Sequence, residues 1–241
     1  MLLLERLRLP LPLAEATCEG CHRFLDSRGE HRAACPVSGR LKLRAAPVER
    51  ATARVFREAG ARVRWNALLK NLNIGVPADD NRCIEVVAQG LPCHGGAQLA
   101  VDCTLRCALT AAGAAQPRAA REDGAVLEKA RWDKEAKYPE LLRTRRCRLV
   151  VMAFETGGRW SNESADMVWQ LAQARAREVP QYLRRSAALM WERRWARLLS
   201  ISCATAFASS LVASKAALAA ADCPDGPAPS LAVLSDQVAR C

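Results

Sequence analysis

The sequence predicts an α/β domain, α+β in detail, in which a mixed sheet is flanked by helices. Three observations predict it. The chain has 241 residues, half of them apolar and a quarter charged, which is enough to bury a core of its own and excludes a disordered, collagen-like or coiled-coil chain. Apolar residues alternate in some stretches, as strands require, and recur at helical spacing in others. Between residues 47 and 160 the elements so read follow the order helix, strand, strand, strand, helix, strand.

Taken in order, residues 1 to 16 form a proline-punctuated lead-in. Cys18, Cys21, His31 and Cys35 follow with the spacing C-x2-C-x9-H-x3-C. Two close cysteines, a turn-rich loop and then His and Cys can place three thiolates and one imidazole around a tetrahedral Zn2+. The competing reading is unrelated free cysteines beside a surface histidine. CxxC and HxxxC within one short stretch favour zinc, and residues 17 to 40 form that segment.

Val48, Ala51, Val55 and Ala59 give a helix from Pro47 to Gly60, where glycine stops it. Residues 61 to 66 alternate Val63 and Trp65 with Arg62 and Arg64, a strand pattern, and residues 71 to 81 are a loop. Residues 83 to 88 and 98 to 105 read as two more strands, paired antiparallel across a loop holding Gly90, Pro92, Gly95 and Gly96. A connection over residues 111 to 124 leads to one long, very basic helix from 125 to 146, then to an apolar strand from 148 to 154. Ser161 is placed to N-cap a helix running to Glu178, and Pro180 opens another that carries Trp191 and Trp195 toward Val212. Residues 216 to 241 are a linker and tail.

The longest uncharged run, residues 198 to 214, is too short and too rich in Ser and Thr for a membrane span, so it reads as a buried helix with no membrane partner. The eleven cysteines are irregularly spaced, and Glu5, Arg6 and Arg8 break the apolar start, unlike a secretory signal. The expected setting is intracellular and reducing, with most cysteines in the core. Lys and Arg number 36 against 25 Asp and Glu, a formal charge of +11, and only six of the basic residues are lysines. An arginine excess fits phosphate recognition, because the guanidinium fork matches phosphate oxygens. It equally fits a GC-rich genome.

The second and third strands carry Glu85 and Asp102. Carboxylates on adjacent strands are what a Mg2+ or Mn2+ site for phosphodiester hydrolysis needs, with a lysine nearby to help the attacking water. This element order with these acids is that of a restriction-endonuclease-like core. The position two residues after Asp102, lysine in the usual PD-(D/E)xK signature, is Thr104.

The segments GEHRAAC, IEVVAQG, AVDCTL, KEAKYPEL and RLVVMAFETGGRWS resemble the C-terminal region of reverse transcriptase polyproteins of non-LTR retrotransposons. More narrowly, they are similar to retroelement-derived proteins of dinoflagellate genomes, over residues 15 to 215. The resemblance implies a zinc knuckle at residues 17 to 40 and a restriction-like endonuclease core at 47 to 160, with helices at 161 to 215 packed on it. It implies nicking of target DNA, with the lysine displaced onto the following helix in an E..K..KY pattern met by Glu128, Lys134, Lys137 and Tyr138. Glu85 and Asp102 would hold the metal, and Lys134 or Lys137 would aid the nucleophile. The implied partner is DNA, with element RNA second, and the implied location nuclear. Glu85 stands where the family usually has the shorter Asp, and no reverse transcriptase catalytic domain lies within the chain, which looks like a detached C-terminal piece. The alternative is a catalytically inactive nucleic-acid-binding remnant.

Asp102 within an apolar strand is hard to bury unpaired, which points to function. Glu85 could instead face solvent on an alternating strand. Lys134 and Lys137 lie in so charged a helix that, without the resemblance, a solvated face is the default. Arg131, Arg143, Arg145, Arg146 and Arg148 adjoin the site and are candidates for DNA phosphates, a binding that salt weakens. Glu155 reads as part of the Gly157-Gly158 turn ahead of a third metal ligand, and Glu49 as a weaker metal candidate. Trp191 and Trp195 read as core rather than as base-stacking platforms.

Overall fold

The computed structural model describes residues 9 to 11 and 17 to 212, so most of the expected lead-in and all of the expected linker and tail at 216 to 241 lie outside the described residues. Its helices are α1 (Glu30–Ala34), α2 (Arg40–Glu58), α3 (Ala125–Lys137), α4 (Pro139–Arg143), α5 (Asn162–Ala176) and α6 (Arg184–Val212). The strands β1 (Arg62–Leu68), β2 (Cys83–Gln89), β3 (Gln98–Arg106) and β4 (Cys147–Glu155) form one sheet in chain order. β1–β2 and β2–β3 are antiparallel and β3–β4 is parallel, so the sheet is mixed. A parallel step needs a crossover, and α3 and α4 provide it.

Helices cover both faces. On one, α2, α5 and α6 bury Phe56, Leu171, Trp191 and Trp195 against Val86, Val101 and Met152. On the other, α3, α4 and the loop after β1 bury Leu127, Leu141 and Leu72 against Ile84, Ala100 and Val151. Trp191 and Trp195 are core side chains with ring centroids 5.2 Å apart. A third, small cluster joins Ala33 of α1 to Phe207 and Leu211 near the end of α6.

Two helix boundaries differ from the expected ones. The helix expected to open at Pro47 opens at Arg40, after Gly39 in the left-handed region, and carries Pro47 inside it. Proline removes one intrahelical donor there. Burial of Arg44, Val48 and Ala51 on either side holds the helix through it, and the Ser202 hydroxyl donates to the Pro47 carbonyl at 2.9 Å.

The single basic helix expected over residues 125 to 146 is two. Pro139 disfavours helical geometry in the residue before it, and Tyr138 (φ −129°, ψ 55°) ends α3. Ser161 caps α5 as its position suggests, its hydroxyl accepting the Ser164 N–H at 3.1 Å. Residues 198 to 212 belong to α6, where Leu199, Cys203, Ala206 and Leu211 are buried. Among the described residues no helix is long and apolar enough to cross a membrane.

Candidate functional site

Strand alternation fails at one level of the sheet. Ile84 and Val87 pack on one face, Val86 and Ala88 on the other, and on β1 Val63 and Ala67 also pack on opposite faces. Residues an even number apart share a face in a regular strand, so both strands roll over between these positions. The rollover falls at Asn66 and Glu85, opposite each other between the Trp65–Val86 and Ala67–Ile84 pairs. Asn66 absorbs it in the left-handed region at φ 44°, which asparagine tolerates. β2 and β3 part at the same level, their ladder ending at Val86–Val101. There the Glu85 carboxylate, rather than strand backbone, accepts the Cys103 N–H.

Asp102 is fully buried beside this point. Lys134 of α3 forms an ion pair with its Oδ1. The Tyr138 hydroxyl lies 3.2 Å from its Oδ2 and 2.9 Å from the Cys83 carbonyl oxygen. Burial pushes the Glu85 carboxyl up to about 8, and Asp102 and Glu49 push the same way, against the Cys103 N–H and Lys134. Burial, with Asp102 beside it, raises the Tyr138 phenol far above its ordinary value. One ammonium therefore faces two carboxyl groups, and either a proton on Glu85 or a further cation balances the second.

The other sequence candidates separate. α3 turns Lys134 to Asp102 and leaves Lys137 exposed, its Nζ 4.7 Å from the centroid of the Tyr138 ring. Glu128 pairs with Arg118 on the surface. Arg131 is engaged by Glu135 at 2.8 Å and Glu163 at 2.6 Å. Arg143, Arg145, Arg146 and Arg148 are exposed and in no ion pair among the described residues. Strand register sets Arg148 beside Leu99 and Val151 beside Asp102, so Arg148 lies roughly 10 Å along the strand from the acids. Glu155 sits at the far end of β4, level with Arg106, where its backbone closes the turn with Gly158 and Arg159.

The four metal-type residues come together. The ligand atoms of Cys18, Cys21, His31 and Cys35 all lie within 4.8 Å of one another. The Cys18–Cys35 and Cys35–Cys21 sulfurs are 3.7 and 3.8 Å apart, and Cys21 Sγ is 3.1 Å from His31 Nε2. Tetrahedral thiolates about 2.3 Å from zinc would stand roughly 3.8 Å apart. His31 Nδ1 lies 2.8 Å from the Ala111 carbonyl oxygen, which directs Nε2 to the cluster.

Local chemistry supports the same geometry. The Asp26 carboxylate accepts the N–H groups of Arg28, Glu30 and His31 and so ties down the start of α1. A Cβ at Gly20 would stand 2.3 Å from the Val37 carbonyl oxygen, so only glycine fits between the first two cysteines. Burial opposes ionisation of Cys18, but the backbone N–H groups of Cys21 and Gly20, with His31, bring its pKa down to about 6. The set is compatible with a zinc site.

No residue pattern points to the Ala111 carbonyl, because a backbone acceptor has no residue signature. Tyr138 stood in the E..K..KY pattern without a role, and the adjoining Pro139 was the sign that it leaves the helix. No family model matches the chain, and no curated protein does.

Proposed function

We propose that the protein is a metal-dependent DNA endonuclease with a restriction-endonuclease-like core and an N-terminal zinc knuckle, derived from a non-LTR retrotransposon. The observation that carries this reading is the meeting of Glu85 and Asp102 where β2 and β3 part, with Lys134 drawn onto Asp102 from the next helix. Two carboxylates on neighbouring strands offer the hard oxygen donors that Mg2+ or Mn2+ takes. Bound there, such an ion supplies charge stabilisation to the phosphoryl oxygens. Asp102 and deprotonated Glu85 are its proposed ligands. Lys134, released from Asp102, donates to the attacking water or to a phosphate oxygen, and the Tyr138 hydroxyl holds Asp102 in orientation. Arg143, Arg145, Arg146 and Arg148 take flanking phosphates. Arg131 is withdrawn from that role because Glu135 and Glu163 already neutralise it. Cys18, Cys21, His31 and Cys35 bind Zn2+ in this reading. Element RNA as a second partner and a nuclear location rest on the sequence resemblance alone.

One observation favours the second reading, an inactive nucleic-acid-binding remnant. Lys134 and Tyr138 already engage both oxygens of Asp102 without a metal. Nicking of supercoiled plasmid by zinc-loaded protein separates the two, run with Mg2+, with Mn2+ and with EDTA, beside Asp102→Ala prepared identically. Metal-dependent nicking that Asp102→Ala loses is expected. Salt-sensitive DNA binding with no nicking by the unmutated protein would establish the remnant instead.

A further inference from the structure

Arg44 of α2 is 2% exposed. Its two terminal nitrogens donate to the carbonyl oxygens of Ala33 at 2.7 Å and Leu105 at 2.8 Å, both neutral acceptors. No carboxylate pairs with it among the described residues, and a buried cation without a counter-charge is costly. Arg44 lines a cavity of about 480 Å3 bounded by the cysteine–histidine segment, α2, the end of β3 and the start of α3. Three buried polar atoms on its lining residues have no hydrogen-bond partner: Arg44 Nε, Arg106 Nε and Thr110 Oγ1. Lys129 lines it too, and Asp133 is shared between Lys129 at 3.0 Å and Arg106 at 3.1 Å. Three cationic groups thus meet one carboxylate, an excess of two positive charges. Much of the remaining wall is apolar, including Leu41, Leu109 and Val126.

We infer that this cavity binds a small phosphate monoester, its phosphate on Arg44, Arg106 and Thr110 and its body against Leu41, Leu109 and Val126. The donors come from separate elements and suit three acceptor oxygens, which a phosphate has and a carboxylate lacks. The charge excess matches a phosphate dianion. The volume falls within the range of small-molecule sites. A small ligand fits better than a nucleic-acid strand, because Arg44 lies beneath the surface. None of these residues belongs to the acid pair, so the inference stands apart from the nuclease reading. It does share walls with the metal cluster: Ala111, whose carbonyl orients His31, lines the cavity, and Ala33, which holds Arg44, lies between His31 and Cys35.

Calorimetric titration of the zinc-loaded full chain with phenyl phosphate tests it. Expected is saturable one-to-one binding, at least tenfold tighter than that of benzoate or of inorganic phosphate. Arg44→Met should weaken it at least tenfold, and its ligand-free Tm is read alongside because the variant also leaves the Ala33 and Leu105 carbonyls without their donor. Thr110→Val, which keeps shape and loses only the hydroxyl, should also weaken it and serves if Arg44→Met does not fold. Alanine at Arg143, Arg145, Arg146 and Arg148 together should leave it unchanged. The inference is overturned by absence of saturable binding, which would leave the cavity to water, by benzoate binding as tightly, or by affinity indifferent to Arg44→Met and Thr110→Val. It is equally overturned if a DNA duplex displaces phenyl phosphate, which would reassign the cavity to nucleic acid.

Discussion

Glu58 and Glu85 are carboxyl groups that the fold drives in opposite directions. Burial opposes ionisation of Glu58, but Arg194, Trp195 and Arg54 all donate to it and outweigh burial, holding its pKa below the ordinary 4.5. Glu58 therefore stabilises the fold above about that pH and loses its contribution as pH falls through the depressed value. Glu85 is raised to about 8, so its contribution is full below 4.5 and fades as pH rises toward 8. Urea melts of metal-free protein at pH 3, 5, 7 and 9 check both signs, the step from 5 to 3 reading Glu58 and the steps from 5 to 9 reading Glu85. Glu58→Gln should cost about 3 kcal/mol at pH 7, because it leaves the buried arginine contacts unmatched. Glu85→Gln should be close to neutral at pH 5 and stabilising at pH 9. Asp102 was legible at this scale, since a carboxylate in an apolar strand demands a partner. The environment of Glu85 was not: IEVV reads as simple alternation, and the rollover at Asn66 follows from how two strands twist together, not from either alone.

At the scale of elements, α3 decides which lysine meets the acids. Lys134 reaches inward to Asp102, whereas Lys137, the last residue of α3, stays exposed over the Tyr138 ring, and Pro139 lets Tyr138 leave the helix and drop beneath the sheet. Lys134→Ala should cost about 3 kcal/mol, since it strips a fully buried carboxylate of its cation. Lys137→Ala should fall within about 0.5 kcal/mol of the unmutated chain, as exposed substitutions do. Thermal melts of the two variants, side by side, read the difference. Element types and order were legible because period two and period 3.6 leave different marks. The ends were harder: Pro47 looked like a helix start because local rules place proline there, and tertiary burial carried the helix past it.

At the scale of the molecule, the cysteine–histidine segment is fastened to the last described turn of α6. Arg40 donates to the Ser210 carbonyl at 3.0 Å and Arg32 to that of Leu211, so two arginines of this segment hold the last described turn of α6. With zinc in the proposed site, its chelation should therefore loosen this segment and the last described turn of α6 together while the sheet holds. Hydrogen exchange after treatment with a zinc chelator is expected to show lost protection at residues 17 to 35 and 206 to 212, with β2, β3 and β4 unchanged. Uniform loss across the sheet would contradict it. Spacing alone made the four clustered residues legible. Docking of the segment on α6 was not, because contacts across most of the chain's length leave no local pattern.

That fastening also sets an order of assembly. Arg32 and Leu211 are 179 positions apart, and closing a loop of that length costs on the order of 5 kcal/mol of chain entropy before any contact repays it. Synthesis at about 5–20 residues per second delivers the thiols of Cys18, Cys21 and Cys35 roughly 10 to 35 seconds ahead of the turn of α6 to which their segment is fastened. During that interval they are open to oxidation and to competing metals. Under the proposed zinc site, early metal capture rather than the finished core guards them until α6 arrives.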